Sequence, residues 1–455
     1  MAYKDGVVTF GDWNRGQVKH PIYGFSLLKN VEVFENKGIA KLKNRTVEDT
    51  SIVPNALPIA EVYDVYGNTY TLTGDTGTGR VLKNNVAIQT GLANAWDMKI
   101  YKDYLWVRHS TVMSAYGPLN NAPQWFANVD TGFVDLYNGK LLVGQDDYLY
   151  SGNGNNVAKI QVLTSGTPAV APTISSNKTA LDLPDGQYVS CLEEFGTKIV
   201  IGTHGGQSYS DRGNFPVARL YAWNRQLGTL GNPGLADLPI IFSENGVNAI
   251  KQHANKLYVS AGTQGNIYLT DATNYIKIST LPYTQSGVNY NSTVYSNAMT
   301  ISSRGNLLVG LSGVLNEKSS PGIYEIDLTV DAGFPISYFI NSGVTMGTES
   351  SPVPYKVGFI NSKNYQVLRS GWASGSTYGV DDTDFRMYTD FGGVIETEMV
   401  KVGRFNGKKS FDNIEWCLAE PLVEGQGIRI SFRLNNKDPY TLRSEEHTSE
   451  LQSQR

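Results

Sequence analysis

The chain has 455 residues, a formal net charge of −4 and only 18% charged residues, with 47 glycines and 27 tyrosines. It lacks a long basic run, which argues against nucleic acid or an anionic membrane as a partner, because either would need a concentrated positive field. The apolar run at residues 238–242 is far too short to span a bilayer. Abundant glycine and tyrosine, with alternating apolar residues, favour an all-β fold of short strands and tight turns.

The first predicted element is an extended N-terminal segment, residues 1–56. Within it, YGFSLLKNVEVFENKGIAKLKNRT (23–46) has strand-like alternation, and Lys37-Gly38 marks a turn. The opening sequence MAYKDGVVTFGDWNRG lacks the apolar core of a secretory signal. Cys191 and Cys417 do not amount to a disulfide framework, so a reducing or redox-indifferent environment is expected.

A short motif then recurs seven times. Each copy has a polar Asn, Asp or Lys, then three mostly apolar residues, then glycine or a small polar residue. The copies are NTYTLTG (68–74), DYLWVRH (103–109), KLLVGQD (140–146), KIVIGTH (198–204), KLYVSAG (256–262), NLLVGLS (306–312) and NYQVLRS (364–370). Their second residues, called anchors below, fall at positions 69, 104, 141, 199, 257, 307 and 365.

Six anchors have an apolar or small residue eight positions earlier, which indicates a strand, a turn and a second strand. Further strands follow some copies, as in GNIYLTD (265–271). Repeats of three or four strands are typical of propeller blades, which bury their faces only by stacking around an axis. We therefore predict a β-propeller of about seven blades over residues 57–392, with the anchors on equivalent strands. Six blades, or one or two β-sandwiches, are the alternatives.

The C-terminal part departs from the repeat. Residues 393–442 contain three strand-like stretches separated by Asn, Gly and Lys turns, which predicts a small, truncated β-sandwich-like domain. Residues 443–453 read RSEEHTSELQS, the in-frame translation of a common sequencing-library adapter. Residues 443–455 are therefore interpreted as an adapter-derived, non-native tail and excluded from the fold.

The order of GFSLLKNVEVFENKGIAKLKNRT, the propeller strands and IETEMVKVGRFNGKKSFDNIEWCLAEPL resembles virion proteins of uncultured tailed bacteriophages. It is similar, more loosely, to propeller-bearing tail-hub and DNA-stabilisation proteins of podovirus tails. The likeness covers most of residues 20–440. It implies a virion location and a structural or host-attachment role in the tail, with other virion subunits, further copies of the chain or a host surface glycan as partners. It implies no cofactor and no catalytic residue.

Carboxylates offer the main enzymatic alternative, because propeller glycosidases place two or three of them at one end of the axis. The possible members are Asp75, Asp146, Asp147, Glu193, Glu194 and Asp271. Ordinary turn chemistry explains these residues equally well, and no S-x-D-x-G-x-T-W box of the sialidase type is present. We therefore expect no catalysis, with a propeller glycoside hydrolase or a bacterial surface adhesin as alternatives.

The stretch after the seventh anchor holds the remaining candidates. Its acidic cluster does not match a calcium-binding loop, so no metal site is predicted; the cluster is Asp381, Asp382, Asp384 and Asp390. Four aromatic residues here could stack on sugar rings at an exposed rim, or instead pack between blades: Trp372, Tyr378, Phe385 and Tyr388. We predict that ligands bind through these aromatics and through two long loops, 205–237 and 371–392.

Overall fold

The structure is a computed structural model. It describes residues 3–4, 7–8, 25–29, 31–32, 41–42, 44–74, 78–134, 139–205, 218–228, 232–281, 292–315, 321–328, 336–341, 343–344, 347–348, 350–363, 367–388, 394–397, 430–432 and 441–443. These residues form strands and their connections, and we find no helix among them with the length and apolar character needed to cross a membrane.

Six short strands precede the propeller. They are β1 (Tyr3–Lys4), β2 (Val7–Val8), β3 (Phe25–Lys29), β4 (Val31–Glu32), β5 (Lys41–Leu42) and β6 (Asn44–Glu48). Blade 1 then contains β7 (Leu57–Tyr63), β8 (Thr69–Gly74), β9 (Thr78–Lys83) and β10 (Val86–Ala93). Blade 2 contains β11 (Ala95–Tyr101), β12 (Tyr104–His109), β13 (Val112–Gly117) and β14 (Gln124–Asp130). Blade 3 contains β15 (Leu141–Val143), β16 (Leu149–Asn153), β17 (Asn156–Thr164) and β18 (Thr173–Asp182).

The second half of the ring repeats this plan. Blade 4 contains β19 (Tyr188–Phe195), β20 (Lys198–His204), β21 (Ala218–Trp223) and β22 (Ile240–Phe242). Blade 5 contains β23 (Val247–His253), β24 (Lys256–Ala261), β25 (Asn266–Thr270) and β26 (Tyr275–Thr280). Blade 6 contains β27 (Thr293–Ile301), β28 (Leu307–Leu315), β29 (Gly322–Ile326) and β30 (Ile336–Phe339). Blade 7 contains β31 (Val353–Lys363), β32 (Val367–Ser374) and β33 (Thr377–Tyr388), and it is completed by β6.

The blades form a closed ring. Consecutive strands within each blade pair antiparallel, and the first strand of every blade contacts the first strands of the blades on either side, including β31 of blade 7 against β7 of blade 1. The first strands therefore surround the axis and the fourth strands form the outer rim. This arrangement confirms the predicted β-propeller and excludes the β-sandwich alternative for this region.

The N-terminal segment closes the ring. Strand β6 pairs antiparallel with β33 as the outer strand of blade 7, so residues 44–48 belong to the propeller and not to a separate segment as predicted. Upstream, β3 lies between β30 of blade 6 and β34 (Val394–Thr397), which follows the last blade. The chain thus crosses the outer edges of two neighbouring blades before blade 1 begins.

Position within the blade explains the repeat. The second strand is covered on both faces by neighbouring blades, and all six residues of β12 except His109 are buried. The outer strand β10 faces solvent along most of its length. Strands buried on both faces read as continuous apolar runs, which is why the second strand carried the clearest sequence signal. Glycine in the motif serves close packing: a Cβ on Gly202 would lie 2.6 Å from Val247 in the next blade.

The anchors do not all occupy equivalent strands, and the predicted equivalence was wrong for one copy. Five of them, at positions 69, 104, 199, 257 and 307, lie at the start of the second strand of a blade. Anchor 365 lies outside the described residues. Anchor 141 instead begins β15, the first strand of blade 3, and the second strand of that blade starts at Leu149. Phe133 lies eight positions before this anchor, where the motif predicted a first strand, but it is buried in the connection that precedes blade 3.

Only short parts of the C-terminal region are described. They are β34, which pairs with β3, and the antiparallel pair β35 (Ile430–Phe432) and β36 (Thr441–Arg443). Arg443, the first residue of the predicted tail 443–455, pairs with Ile430 in this hairpin, so its exclusion from the fold was wrong. The rest of the predicted sandwich-like domain, 393–442, and the tail beyond Arg443 lie outside the described residues.

Candidate functional site

The four aromatic residues predicted to bind ligand do not form one exposed surface. Trp372 lies in β32 with no exposed surface, and its Nε1 donates a hydrogen bond to Asp381 Oδ1 at 2.6 Å. The expectation of an exposed ring is therefore wrong for Trp372. Tyr378 is half-buried in β33. Phe385 and Tyr388 lie further along β33, and their side chains lie outside the described part of the structure.

The long loop predicted at 371–392 is also wrong, since most of it forms strands β32 and β33. The acidic residues it carries are separated by the alternation of β33. Asp381 is buried and accepts a second hydrogen bond from Asn341 Nδ2 at 3.2 Å, whereas Asp382 binds Arg369 Nη1 at 2.7 Å. Among the described residues, no group of three or more His, Cys, Asp or Glu side chains could hold a metal ion.

The carboxylates considered for glycoside hydrolysis are engaged in contacts between blades. Arg225, whose side chain is 9% exposed, binds Glu194 and lies 3.9 Å from Asp146 Oδ1. Asp146 Oδ2 also accepts hydrogen bonds from Tyr150 at 2.6 Å and Lys159 at 3.2 Å. Burial raises the pKa of Glu194 despite the neighbouring arginine. Among the described carboxylates, Glu194 and Asp146 most resemble an acid–base pair. At the contact between blades 3 and 4, however, Arg225 and Lys159 balance their negative charges.

The other candidate carboxylates have structural partners as well. Glu193 Oε1 accepts hydrogen bonds from Lys251 Nζ at 2.9 Å and from a backbone amide of blade 5. Asp147 pairs with Lys102 of blade 2. Asp271 accepts two backbone N–H groups within its own turn, both at 2.8 Å, which is ordinary turn chemistry. Asp75 lies outside the described residues.

A histidine–serine contact occurs in blade 2. His109 Nε2 lies 2.8 Å from Ser114 Oγ, which also accepts a hydrogen bond from the Asn128 backbone amide. Ser114 is completely buried, so its hydroxyl is closed to a substrate. Burial, together with the Arg108 charge, lowers the pKa of His109 to about 4 from 6.5. The pair is therefore a partly buried, neutral hydrogen-bonding element of the blade.

This pKa predicts acid sensitivity. Between pH 6.5 and pH 4 the unfolded chain binds a proton at His109 that the folded chain does not, so stability is lost as the pH falls through that window. The melting temperature of the wild type should therefore fall more steeply from pH 6.5 to pH 4 than that of His109→Gln, measured by scanning calorimetry. Equal slopes for the two proteins would contradict the assignment.

Three polar side chains that the sequence analysis did not select meet where the first strands converge. Asp97 of β11 is fully buried, and its Oδ2 lies 3.1 Å from Lys140 Nζ, just before β15. Lys140 Nζ also donates a hydrogen bond to Asn297 Oδ1 of β27. Asn297 Nδ2 donates to Asp97 Oδ1 at 3.0 Å and to the Ile59 carbonyl oxygen of β7 at 2.9 Å. We call Asp97, Lys140 and Asn297 the axial cluster; with Ile59 it joins blades 1, 2, 3 and 6.

The predicted loop 205–237 is partly described. Residues 218–223 form β21, and the described residues between it and β22 are 224–228 and 232–239; Gly234 N donates to the Ala180 carbonyl oxygen of blade 3 at 2.7 Å. The described residues 224–228 and 232–241, called the aliphatic segment below, expose four large side chains: Leu227 at 46%, Leu235 at 85%, Leu238 at 96% and Ile241 at 58%. The same segment contributes Arg225, which pairs with Glu194 of blade 4 and Asp146 of blade 3.

Comparison with known proteins finds only general likeness. No protein-family model matches the chain, and no curated protein matches it in sequence. Similar solved structures include the extracellular domain of a putative hybrid two-component system from B. thetaiotaomicron, with a TM-score of 0.49 and 12% identity over 75% of this chain and 40% of that one. A streptogramin B lyase has a TM-score of 0.47 and 9% identity over 74% of this chain and 96% of that one. The Neurospora crassa Pan2 WD40 domain has a TM-score of 0.44 and 9% identity over 73% and 91%.

Proposed function

We propose that this chain is a non-catalytic propeller of a bacteriophage tail, which binds another virion subunit through the aliphatic segment of blade 4. The resemblance of its strand order to virion proteins supplies the tail assignment. The exposed leucines supply the binding surface, and they are the observation that carries the proposal. Large aliphatic side chains concentrated in one exposed segment are typical of surfaces that a protein partner covers.

The chemistry of the segment favours a protein partner over a glycan. Sugar recognition uses aromatic faces combined with directed polar groups, whereas the exposed side chains here are aliphatic. The segment is also well fixed: Asp237 N donates to the Ala222 carbonyl oxygen at 2.8 Å, and Trp223 Nε1 donates to the Gln226 carbonyl oxygen at 3.0 Å. A fixed surface loses little conformational freedom on binding, which favours affinity.

The described carboxylates support a role without catalysis. Those of the blade 3–4 contact balance Arg225 and Lys159, and Glu193 balances Lys251. A general acid or nucleophile must reach its substrate with a free oxygen in the productive geometry. Glu194 and Glu193 instead accept hydrogen bonds from neighbouring blades, and Asp146 Oδ1 is buried 3.9 Å from Arg225 Nη1, which suits a rigid scaffold.

Leu238→Asp should weaken binding to the partner subunit at least about tenfold, because burying a leucine contributes about 1.5–3 kcal/mol and a buried aspartate opposes binding. The measurement is calorimetric or surface-based titration of the purified chain against purified portal and tail-hub subunits of a tailed bacteriophage. Val65→Asp is the matched control: Val65 is 91% exposed on blade 1 and should leave affinity unchanged.

The same preparations test the enzymatic alternative. Incubation with a panel of bacterial polysaccharides should release no reducing ends. Turnover that disappears in Asp146→Asn or Glu194→Gln, in a protein that remains folded, would overturn the proposal in favour of a hydrolase. Binding that survives Leu238→Asp but is lost in Val65→Asp would reject the surface while leaving a binding role intact.

A further inference from the structure

The axial cluster has the composition and contacts of a self-modifying site. It brings together a lysine amine, an asparagine carboxamide and a buried carboxylate, each in contact with the other two. From this geometry we propose that Lys140 and Asn297 form an intramolecular isopeptide bond, with Asp97 transferring the protons. The bond would link blade 3 covalently to blade 6 next to the propeller axis.

The orientation of the carboxamide suits this reaction. Asn297 Nδ2 donates to two acceptors, Asp97 Oδ1 and the Ile59 carbonyl oxygen, so the amide oxygen is the atom that faces Lys140. The amine therefore contacts the oxygen bonded to Cγ, the carbon that it would attack. The nitrogen that must leave is held 3.0 Å from the carboxylate that can protonate it.

Burial supplies a reactive amine. Lysine is a nucleophile only when it is neutral, and burial lowers the pKa of Lys140. Asp97 Oδ2, 3.1 Å from Nζ, is placed to accept the proton that the ammonium group must lose. Oδ1 of the same carboxylate faces Asn297, so one side chain can remove a proton from the nucleophile and deliver one to the leaving group.

The step balances without an oxidant or cofactor. Lys140 Nζ forms a bond to Asn297 Cγ, and the bond from Cγ to Nδ2 breaks. The neutral amine and the carboxamide carry four hydrogens between them; one remains on the new amide nitrogen and three leave as ammonia. The proton first passed to Asp97 leaves with the ammonia as ammonium, which returns Asp97 to its carboxylate form.

The surroundings hold these groups in place. Leu141 N donates to Asp97 Oδ2 at 3.0 Å, and Met98 N donates to Asp97 Oδ1 at 2.9 Å, which fixes the carboxylate between its two partners. Lys140 is 8% exposed, so little bulk water competes with it for Asn297. Fixed reactants gain greatly in effective concentration, which is how an otherwise unreactive amine and amide can join.

The test is the intact mass of the full chain under denaturing conditions. The folded wild type should be lighter than its sequence mass by one ammonia molecule. A tryptic digest should contain one species in which the peptide with Lys140 is joined to the peptide with Asn297. An asparagine succinimide loses the same ammonia without joining two peptides, so the linked species is the decisive observation.

Variants locate the chemistry. Lys140→Arg and Asn297→Ala should have their full sequence masses. Asp97→Asn should also have its full sequence mass, because it lacks the carboxylate that transfers the protons. Lys159→Arg alters an ion pair in blade 3, outside the cluster, and should still lose ammonia. Full sequence mass in wild-type protein that is folded and aged, with no linked peptide, would overturn the proposal even if every variant failed to fold.

Discussion

Arg369→Ala should lower the free energy of unfolding by about 3–5 kcal/mol, because it leaves the buried Glu61 carboxylate without its cation. The Arg369 side chain is 5% exposed, and its Nε lies 3.0 Å from both oxygens of Glu61, whose side chain has no exposed surface. Arg369 Nη1 also reaches Asp382 at 2.7 Å and Asp49 at 3.4 Å. This one guanidinium therefore connects blade 7, blade 1 and the residue following β6, at the point where the ring closes.

Chemical denaturation measures this effect. Lys198→Ala is the matched control: its ion pair with Asp237 is exposed, with side chains at 43% and 60%, so its loss should change stability by less than about 1 kcal/mol. The double variant Glu61→Leu with Arg369→Met should recover much of the lost stability, since it removes both buried charges together. Equal small losses for Arg369→Ala and Lys198→Ala would show that the closure depends on other contacts.

Trp372→Ala should cost about 3–5 kcal/mol of stability, the range for deleting a buried aromatic ring. The ring packs in the hydrophobic core shared with blade 6, and the substitution also removes the indole donor to Asp381. We expect calorimetry to show a lower melting temperature for the variant than for the wild type. Any loss of ligand binding should follow from loss of the folded state, because Trp372 has no surface to offer a ligand.

Tyr378→Ala is the comparison for Trp372→Ala. Tyr378 lies on the neighbouring strand β33 and is only half-buried, so its removal should destabilise the protein less. If a substitution at Trp372 left the stability unchanged but abolished binding of a glycan, the original prediction that Trp372 binds ligand would be correct.

The sequence predicted the propeller because the second strands are covered on both faces and therefore read as apolar runs. The strand assignment failed in blade 3, where the first strand has the same apolar pattern as the second strands of other blades. KLLVGQD matches the motif, yet Leu141 lies on the first strand of blade 3. The leading polar residue of the other described copies occupies a turn or strand end; here it is Lys140, buried against Asp97. Because this copy lies on a first strand and not on a second one, the motif did not reveal that Lys140 belongs to the axial cluster. The other members, Asp97 and Asn297, lie far from Lys140 in the sequence.

Trp372 shows a second limit of sequence reasoning. Its neighbourhood, SGWASGSTYG (370–379), has the composition of a loop. The structure gives the glycines another role: a Cβ on Gly379 would lie 2.6 Å from the indole ring, and one on Gly343 would lie 3.3 Å from it. The absence of a side chain at these glycines leaves space for the indole. The loop-like composition of residues 370–379 therefore belongs to a closely packed pair of strands. Only the pairing of Trp372 with Gly379 distinguishes the two cases.

Ring closure by β6 also constrains how the protein can be made. Asp49, which follows β6, and Arg369 are 320 positions apart. At about 5–20 residues per second, a ribosome needs roughly 16–64 s to synthesise the stretch between them. Throughout that time β6 has emerged without its partner β33, and the nascent sheets present open edges. The seven-bladed ring can therefore close only late in synthesis or after it, and this interval is when the chain is most exposed to pairing with a neighbouring copy.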